Sequence, residues 1–191
     1  MVEASEKITI DLQSGSNSAP VSSEPNYTKA VKAAQLVLSE NYVLAEPVNV
    51  RDIAKNYGLE VVDADFGEKL SNVAGFINPE NRTIYLNSGN PENRKTFTIA
   101  HELGHWILHR DKLEKEPEKY AVLYRIPLGR LNQDPVESEA NCFAANLLVP
   151  KTYLEKHIEK YSDVDQLANI FNVSTEVIGF RLKYESRHSG N

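Results

Sequence analysis

Residues 101–105 read His-Glu-Leu-Gly-His, a set of residue types at a spacing that suits metal-assisted hydrolysis. On a helix, two histidines four positions apart project from one face, so both imidazoles can grip one metal ion. Glu102 then lies beside the remaining coordination positions, where it can take a proton from a metal-bound water and make a hydroxide near neutral pH. The chemistry implied is that of a metal-dependent hydrolase, with His101 and His105 as ligands and Glu102 as general base. Zinc held by side chains needs a third ligand. An extended H-E-x-x-H-x-x-G-x-x-H word would supply it from the same helix, but Leu108 and Asp111 stand at its glycine and histidine positions. The other arrangement takes a glutamate from a later helix, and residues 136–150 offer Glu137 and Glu139.

Two helices must position these groups. Asn90-Pro91-Glu92 has the character of an N-cap, a first-turn proline and a dipole-favoured acid, so a helix is expected over residues 91–109. Ile99, Leu103, Trp106 and Ile107 form its apolar stripe. At about 100° per residue, His101 and His105 lie almost opposite that stripe, where buried structural histidines are not expected. The second helix, 136–150, is stopped at Pro150 and carries an inward stripe of Ala140, Phe143, Ala144, Leu147 and Leu148. Glu137 projects within about 45° of the stripe's centre, with Asn141 one turn later on its own face to orient a ligand. Glu139 points towards the side of Asn146 and is the competing choice. Glu137 is favoured as third ligand, and the small Ala140 and Ala144 beside it allow the two helices to approach closely.

Helices are also expected over residues 27–42 and 50–57, the latter closed by Gly58. Residues 59–66 alternate as a strand, and 73–77 with 83–86 bracket Asn78-Pro79-Glu80-Asn81-Arg82 as a hairpin. A small antiparallel sheet therefore precedes the histidine helix. Residues 110–135 make a long connection in which Tyr120 and Tyr124, one helical turn apart, are candidates to stabilise an oxyanion. His109, two turns after His101, is a candidate to line the cleft. After Pro150 the chain reads as short helices spaced like a helix-turn-helix, over residues 151–191.

Composition narrows the classes further. The chain has 191 residues, 41% hydrophobic and 25% charged, enough for one sizeable core and a small appended module. Its net charge of −6 argues against direct nucleic-acid binding. Within residues 163–185, Asp163, Asp165, Glu176 and Glu185 oppose only Arg181 and Lys183, an unfavourable balance for phosphate contact. Cys142 is the single cysteine, so no internal disulfide forms, and it is read as a packing residue rather than a nucleophile. No apolar run is long enough to span a membrane and the N-terminus lacks a signal-peptide core, so the expectation is a cytoplasmic, soluble protein. Residues 1–26 are Ser-rich and read as a disordered tail.

The run Phe97-Thr98-Ile99-Ala100-His101-Glu102-Leu103-Gly104-His105-Trp106, with Glu137-Ser138-Glu139-Ala140-Asn141-Cys142-Phe143-Ala144-Ala145-Asn146-Leu147-Leu148-Val149-Pro150, resembles the ImmA/IrrE metallopeptidases. The likeness extends more loosely over residues 27–187. It implies an α+β, zincin-like metallopeptidase domain over residues 27–150 of the gluzincin kind, followed by the helical appendage. By resemblance the ligands are His101, His105 and Glu137, the base is Glu102, and the ion is zinc, with manganese the alternative. Relatives often carry an aspartate four residues after the ligand glutamate, where this chain has Asn141. The resemblance further implies a sheet edge that binds the substrate as an extra strand, and a protein substrate that is a helix-turn-helix repressor. Two rivals come from other classes: a non-catalytic anti-repressor or toxin-like binding module, and a DNA-binding regulator acting through residues 163–185.

Overall fold

The computed structural model describes residues 24–115, 134–160 and 163–188. The expected N-terminal tail, as far as residue 23, and both Tyr120 and Tyr124 lie outside the described residues. Helices α1 (Tyr27–Glu40) and α2 (Val50–Asn56) come first, followed by β1 (Glu60–Ala64), a single 3-10 turn, β2 (Gly75–Asn78) and β3 (Thr83–Asn87). Then follow α3 (Glu92–Leu108), α4 (Arg110–Lys115), α5 (Pro135–Leu148), α6 (Lys151–Ile158), α7 (Val164–Phe171) and α8 (Thr175–His188). The chain is α+β, with a three-stranded sheet beside a larger set of helices.

The sheet is mixed, with strand order β1-β3-β2. The hairpin is antiparallel as expected, with Gly75 opposite Leu86 and Ile77 opposite Ile84. β1 departs from the antiparallel expectation: it runs parallel to β3, with Glu60 beside Thr83 and Ala64 beside Asn87. Alternation in sequence defines the two faces of a strand and says nothing of its neighbour. Here the connection through residues 65–74 carries the chain past the place β3 will take, so β1 and β2 end on opposite edges.

Helix α3 begins at Pro91, which occupies the N-cap position without a side-chain cap. Asn90, expected to cap it, instead donates from Nδ2 to the Ala74 carbonyl at 3.2 Å, tying the helix start to the base of β2. At the far end the Lys29 ammonium donates to the Leu108 carbonyl at 3.2 Å, satisfying one of the last-turn acceptors. The helix is buried on nearly every side, not along one stripe: Ile99, Leu103 and Trp106 are covered, and so are His101, Glu102 and His105 on the opposite face. That corrects the expectation that this face is no place for buried histidines. The cover is α5. A Cβ added at Gly104 would lie 2.9 Å from a Phe143 ring carbon and 3.3 Å from the Ala140 backbone, so glycine is what permits this close crossing.

Asp134 caps α5 by accepting from the Val136 amide at 2.8 Å, and Pro135 fills the first turn. On the other side of α5 lies α1, whose Ala30 and Ala34 are fully buried. One hydrophobic cluster joins these helices to the inner face of the sheet and continues into Leu154, Leu167, Phe171, Val177 and Ile178. A smaller cluster of Phe66, Leu70, Val73 and Phe76 covers the outer face, where the Phe76 and Tyr85 rings stack at 5.2 Å.

Helix α7 ends at Asn172 in the left-handed conformation (φ 52°), and Val173 and Ser174 join it to α8. Arg181, one of the two cations that segment offers, is fully buried. Its Nε donates to the Val149 carbonyl at 3.0 Å and its Nη2 lies 2.6 Å from Glu185, so it braces the end of α5 and is closed to a phosphate backbone. Among the described residues no helix is long and apolar enough to cross a membrane.

Candidate metal centre

The crossing of α3 over α5 brings His101, His105 and Glu137 into one buried cluster. The Nε2 atoms of the two histidines are 3.0 Å apart. His101 Nε2 is 3.2 Å from Glu137 Oε2, and His105 Nε2 is 3.2 Å from Glu137 Oε1. Two imidazole nitrogens thus lie side by side, each facing a different oxygen of one carboxylate. Ligands about 2.0–2.1 Å from a zinc ion at tetrahedral angles sit about 3.3 Å from one another, so the spacing fits the ion. Two imidazoles and a carboxylate also fit it chemically, as nitrogen and oxygen donors of borderline softness.

Periodicity explains how each group arrives. His101 and His105 are one turn apart on α3, and Glu137 lies in the first turn of α5, directed at that face. Asn141, one turn further along α5, has its Oδ1 2.9 Å from His101 Nδ1. An amide oxygen only accepts, so Nδ1–H donates and the His101 lone pair is left on Nε2, facing the cluster. The Phe97 ring stacks on the His101 ring at 6.4 Å and restricts its rotation. Glu102, next to His101 on the helix, is fully buried.

The cluster's electrostatics are strongly coupled. Burial opposes the charge on Glu137, yet His105 and His101 together hold its carboxyl well below the usual carboxylate range. His101 is likewise opposed by burial, but its hydrogen bond to Glu137, with the charges of Glu137 and Glu102, keeps its pKa raised. His105 is pushed down, by burial first. Negative charge therefore persists where a cation would sit.

The other candidates are placed differently. Glu139 accepts from the Asn26 amide at 2.8 Å and lies 3.5 Å from His109 Nε2, so it fastens the start of α1 to α5. No feature of the sequence pointed to that tie. His109 is buried at the end of α3, and burial, followed by the charges of His105, Lys112 and Lys29, drives its pKa down to about 3. A neutral, covered imidazole is a packing group, not a cleft-lining acid. Cys142 is fully buried, and burial pushes its thiol up to about 11, which leaves it inert.

Comparison with known proteins places this geometry. The chain is 29% identical over 143 residues to the radiation response metalloprotease IrrE of Deinococcus radiodurans, an alignment covering 74% of this chain and 41% of that protein. It is 28% identical over 141 residues to the uncharacterized immunity region protein 2 of Bacillus phage phi105, covering 73% and 77% respectively. Over 89 residues it is 32% identical to metallopeptidase ImmA of Bacillus subtilis, covering 45% and 47%. The chain therefore spans less than half the length of IrrE and of ImmA. A solved Mycobacterium tuberculosis transcriptional regulator shares the fold at a TM-score of 0.59 and 18% identity, covering 81% of this chain and 55% of that one. The profile of the IrrE N-terminal-like domain matches residues 54–183, more than half the chain and both helices of the cluster. On that match, supported by the two named metallopeptidases, the chain belongs to the ImmA/IrrE family.

Proposed function

We propose that this chain is a metal-dependent endopeptidase in which His101, His105 and Glu137 hold a zinc ion, with manganese the alternative, and Glu102 is the general base. The observation that carries the reading is the convergence of two histidine Nε2 atoms and the Glu137 carboxylate, at 3.0–3.2 Å from one another, beside a fully buried glutamate. When bound, the ion supplies Lewis acidity, lowering the pKa of a water and polarising a peptide carbonyl.

The remaining work falls to side chains. Glu102 accepts a proton from the attacking water as its oxygen bonds to the scissile carbon, then delivers that proton to the amine nitrogen as the C–N bond breaks. Its burial keeps bulk water from competing for the proton. Asn141 fixes the tautomer and orientation of His101. We expect Asn141→Ala to weaken metal affinity by about 10–100-fold without unfolding the chain, measured by competition with a calibrated chelator. An unchanged affinity would remove Asn141 from the site.

The substrate we propose is a helix-turn-helix repressor, cleaved at one site to relieve transcription. The names of the relatives, a radiation response metalloprotease, an immunity region protein and a transcriptional regulator, support a regulatory role for this chain too. On this reading α6, α7 and α8 form a helix-turn-helix-like appendage that recognises the partner. The test is incubation of the metal-loaded chain with a candidate helix-turn-helix repressor, with a chelator arm. Two discrete fragments that disappear under chelation are expected. An intact repressor under metal-replete conditions would count against this substrate.

A further inference from the structure

One turn before Glu102, helix α3 meets the backbone of β2 at a contact that only glycine permits. The entry of β2 is pinned. The Ala74 carbonyl accepts from the Asn87 amide at 2.9 Å and from Asn90 Nδ2 at 3.2 Å, and the Val73 carbonyl accepts from Asn87 Nδ2 at 3.1 Å. The next residue, Gly75, is held between two neighbours. A Cβ added there would lie 2.5 Å from the Tyr85 carbonyl oxygen of β3 and 2.7 Å from Thr98 Cγ2 of α3, so bare backbone meets the helix.

Thr98 presents its methyl, not its hydroxyl, to that strand. Its Oγ1 donates to the Arg94 carbonyl at 2.9 Å, the bond a helical threonine makes to the preceding turn, and this fixes its rotamer. Thr98 is buried, and Glu102 stands four residues later on the same face of α3, where such pairs are neighbours. Both carboxylate oxygens of Glu102 are closed to solvent, and its charge acts on His101. One face of the helix thus carries a fixed methyl against the strand and then a covered carboxylate beside the histidine pair.

We infer that Thr98 and Gly75 are positioning residues for Glu102: the methyl set against bare strand backbone walls off the sheet side of the carboxylate, keeps water from it there, and leaves it facing His101 and His105. Neither residue takes part in the proton transfer itself. Without the wall, a buried carboxylate would draw in a water and spread over more rotamers. That the wall serves a general base rests on the reading of Glu102 given above. The wall itself does not.

Gly75→Ala is a poor probe, because its Cβ would collide with the Tyr85 backbone and displace the strand. Thr98 gives a cleaner pair. Thr98→Ser removes the methyl and keeps the bond to Arg94, whereas Thr98→Val keeps the methyl and removes the bond. Carbodiimide-driven amidation with glycine ethyl ester, applied to the metal-free full-length chain and read residue by residue by mass spectrometry, reports how open each carboxylate is. Glu102 is expected to react about tenfold or more faster in Thr98→Ser than in wild type, with Thr98→Val at the wild-type rate and Glu137 slow in all three. Equal reaction of Glu102 in Thr98→Ser and wild type overturns the inference. So does a rise shared by Thr98→Val, which would assign the effect to the hydroxyl, or by Glu137, which would report a general loosening of the helix crossing. On a generic peptide Thr98→Ser should lower kcat by about tenfold at unchanged KM and metal content, a split that lost stability alone does not produce. The labelling needs neither metal nor turnover. A selective rise at Glu102 in a chain that hydrolyses nothing would keep the wall while the peptidase reading fails, whereas hydrolysis with no such rise would do the reverse.

Discussion

Glu102→Gln is expected to keep one equivalent of metal and to lose turnover by about 10²–10⁴-fold, the range typical of a positioned general base. The two side chains have the same shape, so the crossing of α3 and α5 is unaffected, and both histidines keep their distances to Glu137. What changes is proton affinity: an amide oxygen takes no proton from the attacking water and has none to return to the leaving amine. The buried position sharpens the effect. Glu102 is fully covered, so no neighbouring solvent base can substitute freely. Thermal stability should be unchanged or higher, because burying an amide costs less than burying a carboxylate. Steady-state hydrolysis of a generic peptide, read beside metal content and thermal midpoint, checks all three. Full activity in a metal-loaded Glu102→Gln chain would sink the proposed mechanism, and would favour a chain that binds its partner without cutting it.

Much of the cluster was readable because local periodicity decides it. The four-residue spacing of His101 and His105, and the angle of Glu137 from the stripe of Ala140, Phe143 and Ala144, place those side chains on facing surfaces of two helices. Asn141 followed from the same arithmetic. Ala140 and Ala144 announced the close approach, while the part of Gly104, whose built Cβ would lie 3.3 Å from the Ala140 backbone, appears only in the structure. Helix limits came within a few residues at both ends, since Pro91, Pro135 and Pro150 punctuate them.

What escaped the sequence depends on contacts between distant segments. The parallel pairing of β1 with β3 is set by where the connection of residues 65–74 travels, and alternation is blind to that. The burial of His101 and His105 follows from α5 covering a face that α3 alone presents as polar. Asn90 donates to the Ala74 carbonyl instead of capping, a contact between segments sixteen residues apart that local sequence does not reveal. Arg181 counted in sequence as a surface cation, whereas its guanidinium is spent on the Val149 carbonyl and Glu185.

The two glutamates of α5 give the other large effect. Bound metal per chain, measured by elemental mass spectrometry after dialysis, is expected to stand near one equivalent in wild type and in Glu139→Ala, and to fall to background in Glu137→Ala. Both carboxylates stand on α5 only two residues apart, Glu137 buried and Glu139 partly exposed, so generic damage to the helix would lower both variants alike. Their contacts differ. Glu137 oxygens lie 3.2 Å from both histidine Nε2 atoms, and removing one of three donors leaves a pair of imidazoles that binds a divalent ion far more weakly. Glu139 reaches the Asn26 amide and His109 instead, so its loss should cost stability, about 1–3 kcal/mol for a hydrogen bond to a charged acceptor, while metal is retained. Glu137→Gln separates charge from packing: it preserves the side-chain volume, removes the anion that the two histidines stabilise, and should also read near background. Metal lost in Glu139→Ala and kept in Glu137→Ala would move the third ligand. Metal absent from a folded wild type supplied with zinc or manganese would leave the two histidines and Glu137 as a hydrogen-bonded cluster and end the case for catalysis.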